Sequence, residues 1–222
     1  SLYAHLAEIT CKPGDEVNAG SVLGRMGYTG AGINRVRAHC HLEVAMMTSS
    51  RYEDWHRHRG AGTNFHGNFN GMNLIGTEVA RFFLEHKANP QLQFSQFVAS
   101  TPVYFKVTVP AKGSAVPDFA KRYPWMVKGD TSGATSWEIS FSATGQPIAY
   151  NPSQRQVATA VITAIRPATV PHRYLTRGLI SGEGNNATLS NAGKQLVTLL
   201  TDDFPAAPAP ATTPKPHKSP SP

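Results

Sequence analysis

The stretch Ala38-His39-Cys40-His41-Leu42-Glu43-Val44 carries the chemistry of this 222-residue chain and decides how its first part is read. Side chains alternate across a strand, so a strand here places His39, His41 and Glu43 on one face and Ala38, Cys40, Leu42 and Val44 on the other. Cys40 then becomes a small buried hydrophobe pointing away from the imidazoles. Two histidines one pleat apart lie about 6.6 Å from each other, so one can bind a metal while its neighbour reaches the water that the metal activates. A half-buried strand that shows two histidines to solvent has the same pattern, and the pair alone does not choose between them.

The residues before it narrow the choice. Residues 1–9 alternate Leu2, Ala4, Leu6 against Tyr3 and His5, which reads as a strand, and Lys12-Pro13-Gly14-Asp15 then makes a tight turn. Residues 16–27 are short apolar pieces punctuated by Gly20, Gly24 and Gly27, as in a bent all-β core whose backbones approach closely. A glycine-rich loop, residues 28–32, leads to the histidine strand.

Tyr3-x-His5-Leu6, then Pro13-Gly14-Asp15-x-Val17-x-x-Gly20-x-x-x-Gly24-x-x-Gly27-x-Thr29-Gly30, then His39-x-His41-Leu42-x-Val44 follow one another in a specific order. In order and spacing the set resembles the lysostaphin/LytM-type zinc metallopeptidases, which cut peptide cross-links of peptidoglycan. The resemblance implies a twisted antiparallel sheet in which His41 is a zinc ligand. It implies that His5 and His39 are catalytic histidines lining the site without binding the metal, where they orient the water, take its proton and stabilise the oxyanion. An imidazole titrates in the range needed to accept that proton and return it to the leaving amine. It also implies a periplasmic, cell-envelope or secreted location and peptidoglycan as substrate.

The chain departs from the family pattern in two places. Ile33-Asn34-Arg35-Val36-Arg37-Ala38 stands where relatives have a short Gly-Pro lead, a basic insertion that either lines the substrate groove or forms a solvated loop. The family's two other zinc ligands, a His and an Asp, come from a segment upstream of the Tyr-x-His motif. With Ser1 two residues before Tyr3, the sequence reads as the C-terminal part of such a domain. Two other classes remain open: a zinc-free LytM-like module that binds or regulates at the cell wall, and a barrel-sandwich carrier or adaptor domain, which shares the Pro-Gly-Asp-x-Val-x-x-Gly hairpin. The carrier class needs a modifiable lysine at a hairpin tip, and Lys12 lies before the turn.

With 40% hydrophobic residues the chain can bury a sizeable core, and no apolar run approaches the roughly 18 residues that span a bilayer. A formal net charge of +7 favours anionic partners such as wall polymers, and no nucleic-acid-binding motif accompanies it. Cys11 and Cys40 are too few for a disulfide framework, and a bridge between them is left open.

The expected fold is mainly β, the incomplete LytM-type sheet over residues 1–50, followed by a smaller α+β unit. Residues 51–90 read as a loop and a helix. The loop, residues 51–71, holds a second His-x-His at His56 and His58 that Arg57 and Arg59 make a poor cation site, and the helix runs from an Asn73 cap through Leu74, Ile75, Val79, Phe82 and Phe83. Residues 91–201 form the second unit. It has strands at residues 103–109 and 137–141, a short helix near residues 118–125, a strand or helix at 157–165, a strand at 174–180 and a final helix capped by Ser190. Tyr123 and Trp125, if exposed, could stack on sugars. Residues 202–222, rich in Pro, Ala, Thr and Lys, read as a disordered tail.

Overall fold

Alternation of large apolar and polar residues builds the central sheet. In the computed structural model, which describes residues 1–60, 62–112 and 116–206, the strands in chain order are β1 (Leu2–Ala4), β2 (Leu6–Ile9), β3 (Gly24–Met26), β4 (His41–Glu43), β5 (Ala45–Met47), β6 (Leu74–Gly76), β7 (Phe105–Pro110), β8 (Ser136–Phe141), β9 (Pro147–Ser153), β10 (Val161–Ile165), β11 (Ile180–Ser181) and β12 (Thr188–Leu189). The α-helices are α1 (Tyr52–His58), α2 (Val79–Ala88), α3 (Phe94–Ala99), α4 (Asp118–Arg122), α5 (His172–Leu175) and α6 (Asn191–Thr201). The chain is mixed α/β with small antiparallel sheets. Before Ser50 the regular structure is strands and one 3-10 turn, and every α-helix follows.

The largest sheet has the order β10-β7-β8-β9, all antiparallel. Its register sets Phe105 opposite Phe141, Val107 opposite Ile139 and Val109 opposite Trp137, and all six are buried. Phe105 and Phe141 stack with centroids 4.8 Å apart, a pairing worth about 0.5–1.5 kcal/mol beyond the area it buries. On the other face Glu138 accepts from Lys106 Nζ at 2.8 Å and Thr163 Oγ1 at 3.3 Å. Phe119 of α4 stacks on Tyr150 of β9, and the Tyr150 hydroxyl donates to the Leu200 carbonyl of α6. Burial, with Asp202 nearby, raises this phenol well above its ordinary value, so it stays a neutral donor.

The same core takes in Met46 of β5 and Phe97 of α3, with Ile75 and Phe82 packed against it. A second cluster joins Tyr52 and Trp55 of α1 to Leu199 and Phe204. Residues 51–71, expected as a loop, therefore begin with a helix, because Tyr52, Trp55 and His56 share an inner face that α6 covers. Phe204, at the start of the expected tail, is buried here, while residues 207–222 lie outside the described residues.

The helix expected from Asn73 forms differently. Leu74 and Ile75 pair with Met47 and Met46 as strand β6, and the helix starts at Val79. Asn73 is a buried hub and caps nothing. Its Nδ2 donates to the Ser49 and Asn68 carbonyls, both at 2.8 Å, and its Oδ1 accepts from the Ser49 N–H and the Thr48 hydroxyl. The strand expected at residues 174–180 is instead the end of α5 and a turn through Arg177, whose φ is 53°, leaving only Ile180 in β11. Of the ambiguous residues 157–165, Val161–Ile165 form strand β10, and β9 has no clear alternation in the sequence because Pro147 and Pro152 interrupt its pattern. Tyr123 and Trp125 are half-buried against the core, and the Tyr123 hydroxyl accepts from the Met47 N–H. Ser190 does cap α6, accepting from the Gly193 N–H. No helix among the described residues is long and apolar enough to cross a membrane.

A polar clasp ties the β5 side to α4. Asp118 Oδ2 accepts from the Ser50 N–H at 3.1 Å, the Ser50 hydroxyl at 2.9 Å and the Arg122 guanidinium. Burial pushes the Asp118 carboxyl up, but the two Ser50 bonds and Arg122 outweigh it and hold the group below its ordinary value. A depressed carboxyl contributes stability above its unfolded pKa of about 3.9 and loses it as pH falls through the lower folded value. Urea midpoints followed from about pH 5 down to about pH 2 should fall more steeply for the native chain than for Asp118→Asn. Parallel profiles would show that the clasp is absent in solution. Replacing Asn73 by Ala strands the buried Ser49 carbonyl and N–H and the Thr48 hydroxyl and should cost about 3 kcal/mol in the same assay, against under about 1 kcal/mol if the hub is not formed.

Candidate metal centre

His5, His39 and His41 come from separate points of the chain and meet at one place. Their ring centroids are 4.7 to 4.9 Å apart in every pairing, and one ligand nitrogen from each lies within 4.8 Å of the others. Among the described residues this is the one group of three or more His, Cys, Asp or Glu side chains so arranged. The second His-x-His does not form a site: His56 is buried in α1 and His58 is exposed.

The pairing of β1 with β4 brings the rings together. Ala4 lies opposite His41 in that antiparallel register, so the next residue, His5, arrives beside the His39–His41 segment. The single strand expected over residues 1–9 breaks at His5, whose φ is 62°, into β1 and β2. A non-glycine residue takes that left-handed conformation only when its surroundings hold it there. Three bonds do so: the Gly27 N–H donates to the His5 carbonyl at 2.8 Å, the Thr29 hydroxyl donates to the Leu6 carbonyl at 3.1 Å, and His5 Nδ1 donates to the Thr29 carbonyl. Gly27 must be glycine for this, because a Cβ there would lie 2.6 Å from the Ala7 nitrogen.

The strand expected over residues 38–44 is shorter than the alternation suggested. Only His41–Glu43 is strand, and Arg35–Arg37 form a 3-10 turn whose N-cap Asn34 accepts from the Arg37 N–H. His39 thus sits between turn and strand, and the position of its ring comes from a hydrogen bond. Its Nδ1 donates to the Arg37 carbonyl at 2.7 Å. The basic insertion therefore orients His39 through its backbone, while Arg37 Nη1 closes back on the Gly32 carbonyl at 3.0 Å. Cys40, expected to be buried, is exposed, because the chain is not yet strand there and no sheet lies over it. Both cysteines are free thiols.

The acceptors fix the tautomers. A carbonyl can only accept, so Nδ1 of His5 and of His39 carries the hydrogen and Nε2 holds the lone pair in the neutral ring. His41 Nδ1 faces Glu43 Oε1 at 3.6 Å, the arrangement in which a carboxylate backs a ligating histidine. Nε2 of His39 and of His41 approach to 3.0 Å. At that distance the His39 lone pair either accepts a hydrogen from His41 Nε2 or, with the His41 lone pair beside it, faces a cation such as a metal ion. This donor set suits a borderline-soft divalent ion such as zinc. His5 and His39 are half-buried and His41 is exposed, so the centre opens to solvent. Glu43 and the carbonyls of Thr29 and Arg37 support the rings. The Glu43 position was legible in the i, i+2 spacing, whereas the carbonyls leave no side-chain signal.

Comparison with family models, with curated proteins and with solved structures returns no match for this chain. The tautomer assignment has a direct readout. Long-range 1H–15N spectra should show the hydrogen on Nδ1 in His5 and in His39. The opposite tautomer on either ring would mean that its carbonyl bond does not exist in solution.

Proposed function

We propose that this chain carries catalytic residues of a zinc-dependent endopeptidase that hydrolyses peptide cross-links of bacterial peptidoglycan, acting in the periplasm, at the cell envelope or after secretion. The observation that carries this reading is the inward convergence of the Nε2 atoms of His39 and His41 beside His5, with every Nδ1 facing an oxygen. Bound there, zinc would act as a Lewis acid that brings the pKa of water near neutrality. His41, backed by Glu43, is the metal ligand. His5 and His39 remain free to take a proton from the attacking water at Nε2 and deliver it to the leaving amine, while Nδ1–H stays on its carbonyl. The positive balance of the chain favours approach to an anionic wall. The resemblance assigns the remaining metal donors, a His and an Asp, to positions before Tyr3.

A second reading rests on the close spacing of the three ligand atoms, because three histidines with an open fourth position also make a catalytic zinc site. A zinc-free wall-binding module is the third. Zinc content by elemental analysis and hydrolysis of cross-linked muropeptides separate them in the intact protein. His41→Ala should lose both metal and activity, whereas His5→Ala and His39→Ala should keep zinc and lose about 10²- to 10⁴-fold in rate. Loss of zinc from all three variants would establish the three-histidine site. A native protein that neither holds zinc nor loses activity with a chelator would remove the enzyme reading.

A further inference from the structure

A cleft of about 1000 Å³ lies among α4, α6, the end of β7 and the residues leading into β10, and none of the three histidines lines it. Its floor is apolar: Val109, Trp137, Val197 and Phe204. Those residues also belong to the two hydrophobic clusters, so the floor is rigid and its shape does not depend on a ligand.

The charges around the cleft are unequally matched. Asp118 is occupied by Ser50 and Arg122, Asp202 accepts from the Ser49 hydroxyl at 2.7 Å and the Asp118 N–H at 3.2 Å, and Asp203 pairs with Lys112 Nζ at 2.6 Å. Arg51 pairs with Asp54 and lies over the Phe204 ring at 4.9 Å. Two cations remain. Lys121 and Lys194 both line the cleft, both are exposed, and neither has a carboxylate within ion-pair distance among the described residues. The other residues of the chain contain no Asp or Glu side chain that could reach them.

We infer that this cleft binds an anionic amphiphile, an apolar chain lying against the half-buried Val116, Pro117 and Ala160 with its carboxylate or phosphate head at Lys121 or Lys194. The volume is at the upper end of small-molecule sites, and an apolar wall with a few charged groups is their usual composition. Either ammonium group selects for the head, because an ionic hydrogen bond is about twice as strong as a neutral one. This assignment is independent of the histidine centre.

Titration calorimetry on the full chain with decanoate, decyl phosphate and decanol, each below its micellar concentration, tests it. Both anions should bind, and decanol should bind at least about tenfold more weakly. The Lys121→Glu/Lys194→Glu double variant should weaken both anions by at least about tenfold and leave decanol unchanged. Ala160→Trp, which fills the wall of the cleft, should abolish all three while circular dichroism shows the fold retained. A preference between the two anions identifies the head group as carboxylate or phosphate. Equal binding of decanol and decanoate, indifference to the charge reversal, or no binding by the full chain overturns the proposal.

Discussion

Burial of one face of the β7–β8–β9 ladder is the constraint from which the rest of the molecule hangs. Phe105, Val107 and Val109 oppose Phe141, Ile139 and Trp137 across the ladder, and α4 and α6 close over Tyr150 beside them. Met46 of β5 is 1% exposed and enters the same core. Because β5 follows β4 with only Val44 between, the strand that carries His41 and Glu43 is tethered to the most rigid part of the structure. Val109, Trp137 and Val197 extend that rigidity into the floor of the large cleft.

The first part of the chain has little core of its own. Of its first 45 residues only Gly27 is buried, and Val22 and Val36 are 75% and 94% exposed. Two-stranded sheets are marginal in water. The order of the histidine centre therefore comes from backbone hydrogen bonds more than from apolar packing. Gly27 and Thr29 hold His5, the Asn34-capped turn holds His39, and β1 holds His41.

At the centre itself the chemistry follows from where the Nδ1 hydrogens go. Each carbonyl that accepts from Nδ1 leaves a lone pair at Nε2 of His5 and of His39, and folding brings the His39 lone pair to 3.0 Å from His41 Nε2. That lone pair can take a hydrogen from His41 or share a cation with it.

The sequence by itself marked His5, His39 and His41 and set Glu43 on the same strand face as the last two, and it determined the Lys12–Asp15 turn, the strands β7 and β8, and the Ser190 cap. Each is a local pattern: a period of two, a turn residue, a hydroxyl three positions before an N–H. Only the tertiary structure decided the break at His5, the helix at residues 52–58, the strand at Leu74 and the burial of Phe204. A left-handed backbone at His5 is unfavourable on its own and persists because Gly27 and Thr29, more than twenty residues away, bond to its carbonyl, to its ring and to the Leu6 carbonyl. Leu74 and Ile75 fit a helix as well as a strand until β5 offers a free edge, and Tyr52 and Trp55 gain an inner face only once α6 covers them. Long-range partners supply free energies that local propensity cannot encode, and those partners are not adjacent in the sequence.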